Sequence, residues 1–155
     1  GEAGLARPQL VVQCSSLGRI DDRWLRMEFG NSALSGHGAW PGVGTEPQLS
    51  QLALVWPTVE QVRNSNEGWA AGGALPGKRA SVSAKCLAGA FHKYDGSCGG
   101  RLGRGTAMPH IKSYVRHSGG SGAADWVLLG SHNLSKPAWG LLTRVRGMCW
   151  GGRGG

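Results

Sequence analysis

Hydrophobic residues along the chain fall into short blocks separated by stretches without any period. Gln9 to Cys14, directly after Pro8, is an apolar run of strand length, and Ser15-Ser16-Leu17-Gly18 closes it with turn-forming residues. Asp21 or Asp22 is placed to cap a following helix whose Trp24, Leu25 and Phe29 fall on one side. Leu52 to Trp56 is a second apolar strand, stopped by Pro57. Thr58, with Gln61 three residues on, has the form of a capping box and starts a helix that ends near Asn64. Val82, Cys86 and Ala90, with Leu87 and Phe91, recur at helical spacing, which predicts a helix over 79–94 with Lys78, Lys85 and Lys93 turned to solvent. Met108 to Arg116 and Trp126 to Ser131 read as strands. Ser135 with Lys136-Pro137 caps a last short helix to about Leu142.

Residues 30–48, 68–77 and 96–105 are rich in Gly and lack a period, so they read as loops, linkers or disordered insertions. Strands alternating with helices predict an α/β fold, a mixed sheet covered by helices, over residues 1–143. Residues 144–155 form a Gly/Arg-rich tail. At 155 residues the chain fits one domain of ordinary size. Gly, at 28 of 155, stands far above the usual share of about 7%, so the Gly-rich segments lose more entropy on ordering than others.

Charge changes the picture more than composition does. The formal net charge is +8, yet residues 1–77 hold five Arg against seven acids, whereas residues 78–155 hold twelve Lys and Arg against Asp95 and Asp125 alone. A basic half of this kind favours a polyanion, of which nucleic acid is the commonest for a soluble domain. Cys14, Cys86, Cys98 and Cys149 show no CxxC pair and no His at zinc-finger spacing, so free thiols are expected rather than a metal site. No apolar run approaches the ~20 residues that span a bilayer. Because the chain begins with Gly rather than Met, it is expected to be a piece of a longer product.

The candidate chemistry lies in Met108-Pro109-His110-Ile111-Lys112 and in Gly130 to Gly140. On a strand, His110 and Lys112 share a face, joined by Tyr114 and Arg116. Burying that face is costly without an anionic partner, and a bound phosphate supplies one. The alternative is a solvated edge strand, where Lys and Arg guard against unwanted pairing. Asn133 follows the strand Trp126 to Ser131 and can face a ligand or simply form a turn, while Ser135 can cap a helix. An imidazole that attacks or moves a proton, an amine that stays cationic and an orienting carboxamide suffice for phosphodiester cleavage without a metal or other cofactor. His37, His92, His117 and His132 have no partner pattern. His92 is expected to cap or line a helix end, and His132 to pack. Most of the seven Trp are expected in the core.

The blocks Val11 to Gly18 (VVQCSSLG), Phe91-His92-Lys93, Met108 to Lys112 and Gly130 to Gly140 resemble the C-terminal half of the tyrosyl-DNA phosphodiesterases, of the phospholipase D superfamily. The resemblance implies a phospholipase D-like lobe and a phosphohistidine mechanism in the nucleus. Its substrate would be DNA, single-stranded or at 3′ ends, blocked by a tyrosyl-linked topoisomerase peptide. His110 matches the family's second His, which protonates the tyrosyl leaving group and then activates water. Lys112 would neutralise the non-bridging oxygens, and Asn133 would orient the site and help hold the phosphate. Ser16, Leu17, Gly18, Arg19 and Ser135 match DNA contacts, and Pro76 matches a position near the mouth of the cleft.

The family builds its site from two HxK motifs on two lobes, and this sequence has one. The resemblance therefore implies that the nucleophile lies in an N-terminal half outside this chain, and that the isolated chain is nearly inactive. The competing expectation is a non-catalytic nucleic-acid-binding remnant.

Overall fold

The structure is a computed structural model that describes residues 9–34, 51–118 and 123–143. His37, Cys149, most of the predicted 30–48 loop and the 144–155 tail lie outside the described residues.

Five strands form one mixed sheet: β1 (Gln9–Gln13), β2 (Leu52–Trp56), β3 (Phe91–Lys93), β4 (Lys112–His117) and β5 (Trp126–Gly130), in spatial order β3-β2-β1-β4-β5. β1 pairs parallel with β2, and β2 with β3, whereas β4 runs antiparallel to both β1 and β5. The α/β reading of the sequence is thus what the chain adopts. One sheet face carries Leu10 and Val12 of β1, Leu52 and Leu54 of β2, and Tyr114 of β4, all buried. The opposite face of β5 leaves Val127 and Leu129 more than half exposed.

The core face is covered by a helical segment that starts at Asp22 and continues as a π-helix over Trp24–Gly30 and as α1 (Asn31–Leu34). Asp21 Oδ1 accepts the Trp24 N–H at 2.9 Å, the capping role expected of it, and Trp24, Leu25 and Phe29 point into the core. The predicted capping box holds on both sides. Thr58 accepts the Gln61 N–H at 3.2 Å, Gln61 Oε1 accepts the Thr58 N–H at 2.9 Å, and α2 runs Val59–Arg63. α4 (Lys136–Trp139) begins after Ser135 and is shorter than expected, ending at Gly140 with φ 91°. Trp24, Phe29, Tyr114 and Trp139 form one aromatic cluster with ring centroids 4.6 to 6.2 Å apart.

The predicted helix over 79–94 does not form. Only α3 (Arg79–Val82) is α-helical; Ala84 is extended, residues Lys85–Leu87 make a 3₁₀ turn, Gly89 takes φ 80°, and the chain ends in β3. The open edge of β2 decides this, because Phe91 to Lys93 gain ladder bonds beside Leu54 to Trp56. Cys86, Leu87 and Ala90 are nevertheless buried, so the apolar pattern located core contacts while misassigning the backbone. His92 consequently lies exposed on an edge strand rather than at a helix end. The Gly-rich stretches also hold short 3₁₀ helices, Gly68–Ala74 and Ser97–Leu102, closed by local backbone bonds such as Gly99 N–H to Gly96 O at 2.9 Å. Cys14 and Cys86 are free and buried. Of the Trp residues, Trp24, Trp56, Trp126 and Trp139 belong to the core or pack on it, whereas Trp69 is exposed.

Candidate active site

Because β1, β2, β3 and β5 run one way and β4 the other, the C-terminal ends of four strands and the start of β4 meet at one end of the sheet. β1 lies between a parallel and an antiparallel neighbour, so the chain leaves it at a point where loops diverge, the usual place for a crevice in such sheets. His110, Lys112, Ser16 and Asn133 all belong to this end.

The pair His110 and Lys112 is built differently from the strand-face geometry that the sequence suggests. β4 starts at Lys112, four residues later than expected, and runs on to His117. Pro109 has no N–H to give a ladder, and the Gln13 side chain donates from Nε2 to the Ile111 carbonyl at 3.0 Å, taking an acceptor that further pairing would need. His110 is therefore exposed in the segment before the strand, while Lys112 is 5% exposed. The lysine arm turns back so that Nζ donates to the His110 carbonyl and stands 3.4 Å from both ring nitrogens. Equidistance singles out neither nitrogen as acceptor. The ammonium has three donors, and the carbonyl takes one.

β4 is an interior strand, which removes the edge-strand account of its polar face. Two other members of that face have partners within the protein. Tyr114, fully buried, donates its hydroxyl to the His132 carbonyl at 2.8 Å and accepts from Trp139 Nε1 at 3.1 Å. Burial raises its phenol above the ordinary value, so it stays neutral. Arg116 stands 3.5 Å from Asp125. Among the described residues, Lys112 is left as the buried cation of the face that leans on a neutral carbonyl and a histidine ring. Beside it, burial pushes the Cys14 thiol up, against the lowering effect of backbone hydrogen bonds at Leu134 and Ser16 and of the Lys112 charge.

Asn133 Oδ1 accepts the backbone N–H groups of Ser15 and Ser16, at 3.2 and 3.0 Å. The carboxamide oxygen is thereby committed to the loop after β1, and its amino group is left as a donor. An aspartate would tie the loop equally well and donate nothing. The Asn133 loop is itself held from two sides, by Tyr114 at His132 and by Gly18 N–H to the Leu134 carbonyl at 3.1 Å, while Trp24 Nε1 holds the far end of α4 at the Gly140 carbonyl, 2.8 Å away. His132, which the sequence expected to pack, is exposed and tilts against the Trp139 ring at 5.9 Å.

Gly18 and Ser135 are neighbours so close that a Cβ on Gly18 would stand 2.5 Å from the Ser135 Cβ, which is why this position needs glycine. Ser135 occupies the N-cap of α4, but its side chain makes no capping hydrogen bond; the backbone carbonyl receives Ala138 and Trp139 instead. Its hydroxyl is not spent on the helix. Lys136, next along, pairs with Asp21, and that bond with the Trp24 N–H holds the Asp21 carboxyl below the usual range.

Ser16, Leu17, Gly18 and Arg19 line one wall of a cleft of about 680 Å³ whose other wall holds Pro76, Lys78 and Ser81. Two segments matched separately in sequence, 16–19 and Pro76, are thus brought together. Ser15, Lys78 and Ser81 are members that the sequence did not reveal. Ser15 acts through its backbone, and the other two are placed only by the fold. His37 lies outside the described residues, and His117 ends β4 away from this end of the sheet. Among the described residues no group of three His, Cys, Asp or Glu could hold a metal ion, and no helix is long and apolar enough to cross a membrane.

The architecture can therefore present a buried ammonium, an exposed imidazole, a carboxamide amino group and hydroxyls to an anion at the sheet end. Residues 2–149 match the family model described as tyrosyl-DNA phosphodiesterase. The chain is 42% identical over 142 residues to tyrosyl-DNA phosphodiesterase 1 of Arabidopsis thaliana, covering 89% of this chain and 21% of that protein. It is 39% identical over 139 residues to a probable tyrosyl-DNA phosphodiesterase of Caenorhabditis elegans, covering 86% of this chain and 28% of that protein. The crystal structure of a histidine-to-alanine mutant of the yeast tyrosyl-DNA phosphodiesterase shares the fold, with a TM-score of 0.60 and 21% identity over 88% of this chain and 36% of that one. The chain thus spans between about a fifth and somewhat over a quarter of the length of these curated relatives. Family model, relatives and fold agree, and the chain belongs to the tyrosyl-DNA phosphodiesterase family.

Proposed function

We propose that this chain supplies one half of the reaction centre of a phosphodiesterase that hydrolyses 3′-phosphotyrosyl DNA ends. The observation that carries the reading is the buried Lys112 ammonium beside the His110 ring, on an interior strand, with the Asn133 amino group on the neighbouring loop. A phosphate there would take the lysine and carboxamide donors that the protein leaves open. As charge grows on the non-bridging oxygens, Lys112 stabilises the transition state.

A histidine from the N-terminal HxK lobe attacks phosphorus, forming a P–N bond as the P–O bond to tyrosine breaks, and His110 gives its proton to the leaving phenolate. His110 then takes a proton from water, whose oxygen attacks phosphorus, breaks the P–N bond and leaves a 3′-phosphate. Ser16 to Arg19 and Ser135 hold the DNA strand, with Asn133 orienting the loop between them. The product context is DNA repair in the nucleus.

The single HxK of the 155 residues favours a second reading, a DNA-binding chain without turnover. A chimaera separates the two. This chain replaces the matching segment of the Arabidopsis relative, and a 3′-phosphotyrosyl oligonucleotide is the substrate. Cleavage at a rate near the relative's own is expected. A folded chimaera that binds the oligonucleotide and leaves it intact would show that the segment has lost its chemistry.

A further inference from the structure

The cleft beside the candidate active site is lined by two residues that the family resemblance does not explain, Lys78 and Ser81. Ser16, Gly18 and Arg19 face Pro76, Lys78 and Ser81 across about 680 Å³, and the walls are joined beneath by the parallel bridge Leu17 to Gly77. The floor is firm: Leu17 and Ser81 are buried, and a Cβ on Gly77 would press on Val82 at 3.0 Å. Arg19 and Lys78 are both exposed, neither forms an ion pair among the described residues, and no acidic side chain lines the cleft. Lys78 precedes α3 without using its side chain to cap it. The cleft also opens onto the reaction site, because Ser16 lines it while giving its backbone N–H to Asn133.

We propose that Lys78 is a second backbone-phosphate contact, beside Arg19 in the lining of the same cleft, so that both segments of the cleft grip the DNA strand. The inference rests on the proposed function for its ligand. Two cations in the lining of one cleft, with Ser16 and Ser81 in the same lining, suit a phosphodiester chain: each phosphate carries one charge, and such contacts need no base identity. An acidic peptide could meet the same charges, but the continuity with a site built for a phosphoryl group favours nucleic acid.

The test uses the intact 155-residue chain and a fluorescent single-stranded oligonucleotide ending in a 3′-phosphate, with affinity measured between 50 and 200 mM salt. Lys78→Ala should reduce the magnitude of the slope of log affinity against log salt by about 0.7, the value for one phosphate contact on a single strand. Lys78→Glu should reduce affinity further. Lys85→Ala, which removes an exposed lysine outside the cleft, should leave the slope as it was. Circular dichroism should show all variants folded. A parental slope in Lys78→Ala overturns the proposal, as do equal losses in Lys85→Ala, which mean diffuse surface charge, and oligoglutamate displacing the oligonucleotide at equal charge concentration. Undetectable binding by the parent chain overturns it too. In the cleaving chimaera, Lys78→Ala should raise KM and leave kcat alone. A chimaera that does not cleave, with the slope effect still present, sinks the proposed function and keeps the contact; unchanged slope in a cleaving chimaera does the reverse.

Discussion

His110 and Lys112 sit side by side, yet their removal should read out differently. In the chimaera, His110→Ala should leave DNA binding nearly intact while stalling hydrolysis of the phosphohistidine, so a covalent protein-DNA adduct accumulates and runs as a shifted band on a denaturing gel. Lys112→Ala should reduce both binding and rate, because its charge serves the bound substrate as well as the transition state. Parental turnover by His110→Ala without an adduct would make the imidazole structural. Asp21 offers a separate test by pH. Its folded pKa is depressed, by the Lys136 hydrogen bond first and the Trp24 N–H second. A depressed carboxylate contributes stability above its unfolded pKa and loses it as pH falls through the folded one. Asp21→Asn should therefore lower the urea midpoint slightly at neutral pH, by less than about 1 kcal/mol for so exposed a pair, and flatten the loss below the ordinary carboxylate range. Equal acid slopes for the two proteins would remove Asp21 from that transition.

At the scale of elements, the loop carrying Asn133 owes its position to β4 and α4 rather than to its own sequence. Tyr114 reaches from β4 to the His132 carbonyl, and Trp139 reaches from α4 to the Tyr114 hydroxyl. Tyr114→Phe keeps the aromatic cluster but leaves that carbonyl and the indole N–H short of a partner. Its expected cost is about 1–3 kcal/mol in denaturant unfolding. Amides around Asn133 should also exchange faster with solvent, since the loop loses one of the two ties at its backbone carbonyls. A stability change without faster exchange would mean that the remaining tie, at Leu134, suffices.

For the whole molecule, the uneven charge is the property that decides behaviour in solution. With twelve Lys and Arg against two acids in residues 78–155, association with single-stranded DNA should weaken steeply with salt. About 6 phosphate contacts on a single strand would cost roughly a few hundredfold in affinity between 50 and 200 mM. Affinity measured across that range should therefore fall along a straight log–log line, and a flat line would mean that the basic half is a solubility feature and no DNA surface.

Local sequence sufficed wherever the deciding interactions are local. The apolar runs at β1, β2 and β5, the capping box of Thr58 and Gln61, the Asp21 cap and the α/β alternation were all legible, because each depends on neighbours within a few residues. The HxK motif and the 16–19 and 130–140 blocks were legible as a family pattern. What the chain could not disclose alone was set by contacts distant in sequence. An open edge on β2 turned the end of a helical pattern into β3, and Gln13 with Pro109 delayed β4 until Lys112. The fate of the lysine followed: an ammonium that read as one side of an amphipathic strand is buried, because β4 lies between β1 and β5. Lys78 belongs to the same class, since only the fold brings residues 76–81 to the cleft that residues 16–20 also line. Periodicity records which side chains avoid water, whereas strand order and long-range hydrogen bonds decide which polar groups are buried and which face a ligand together.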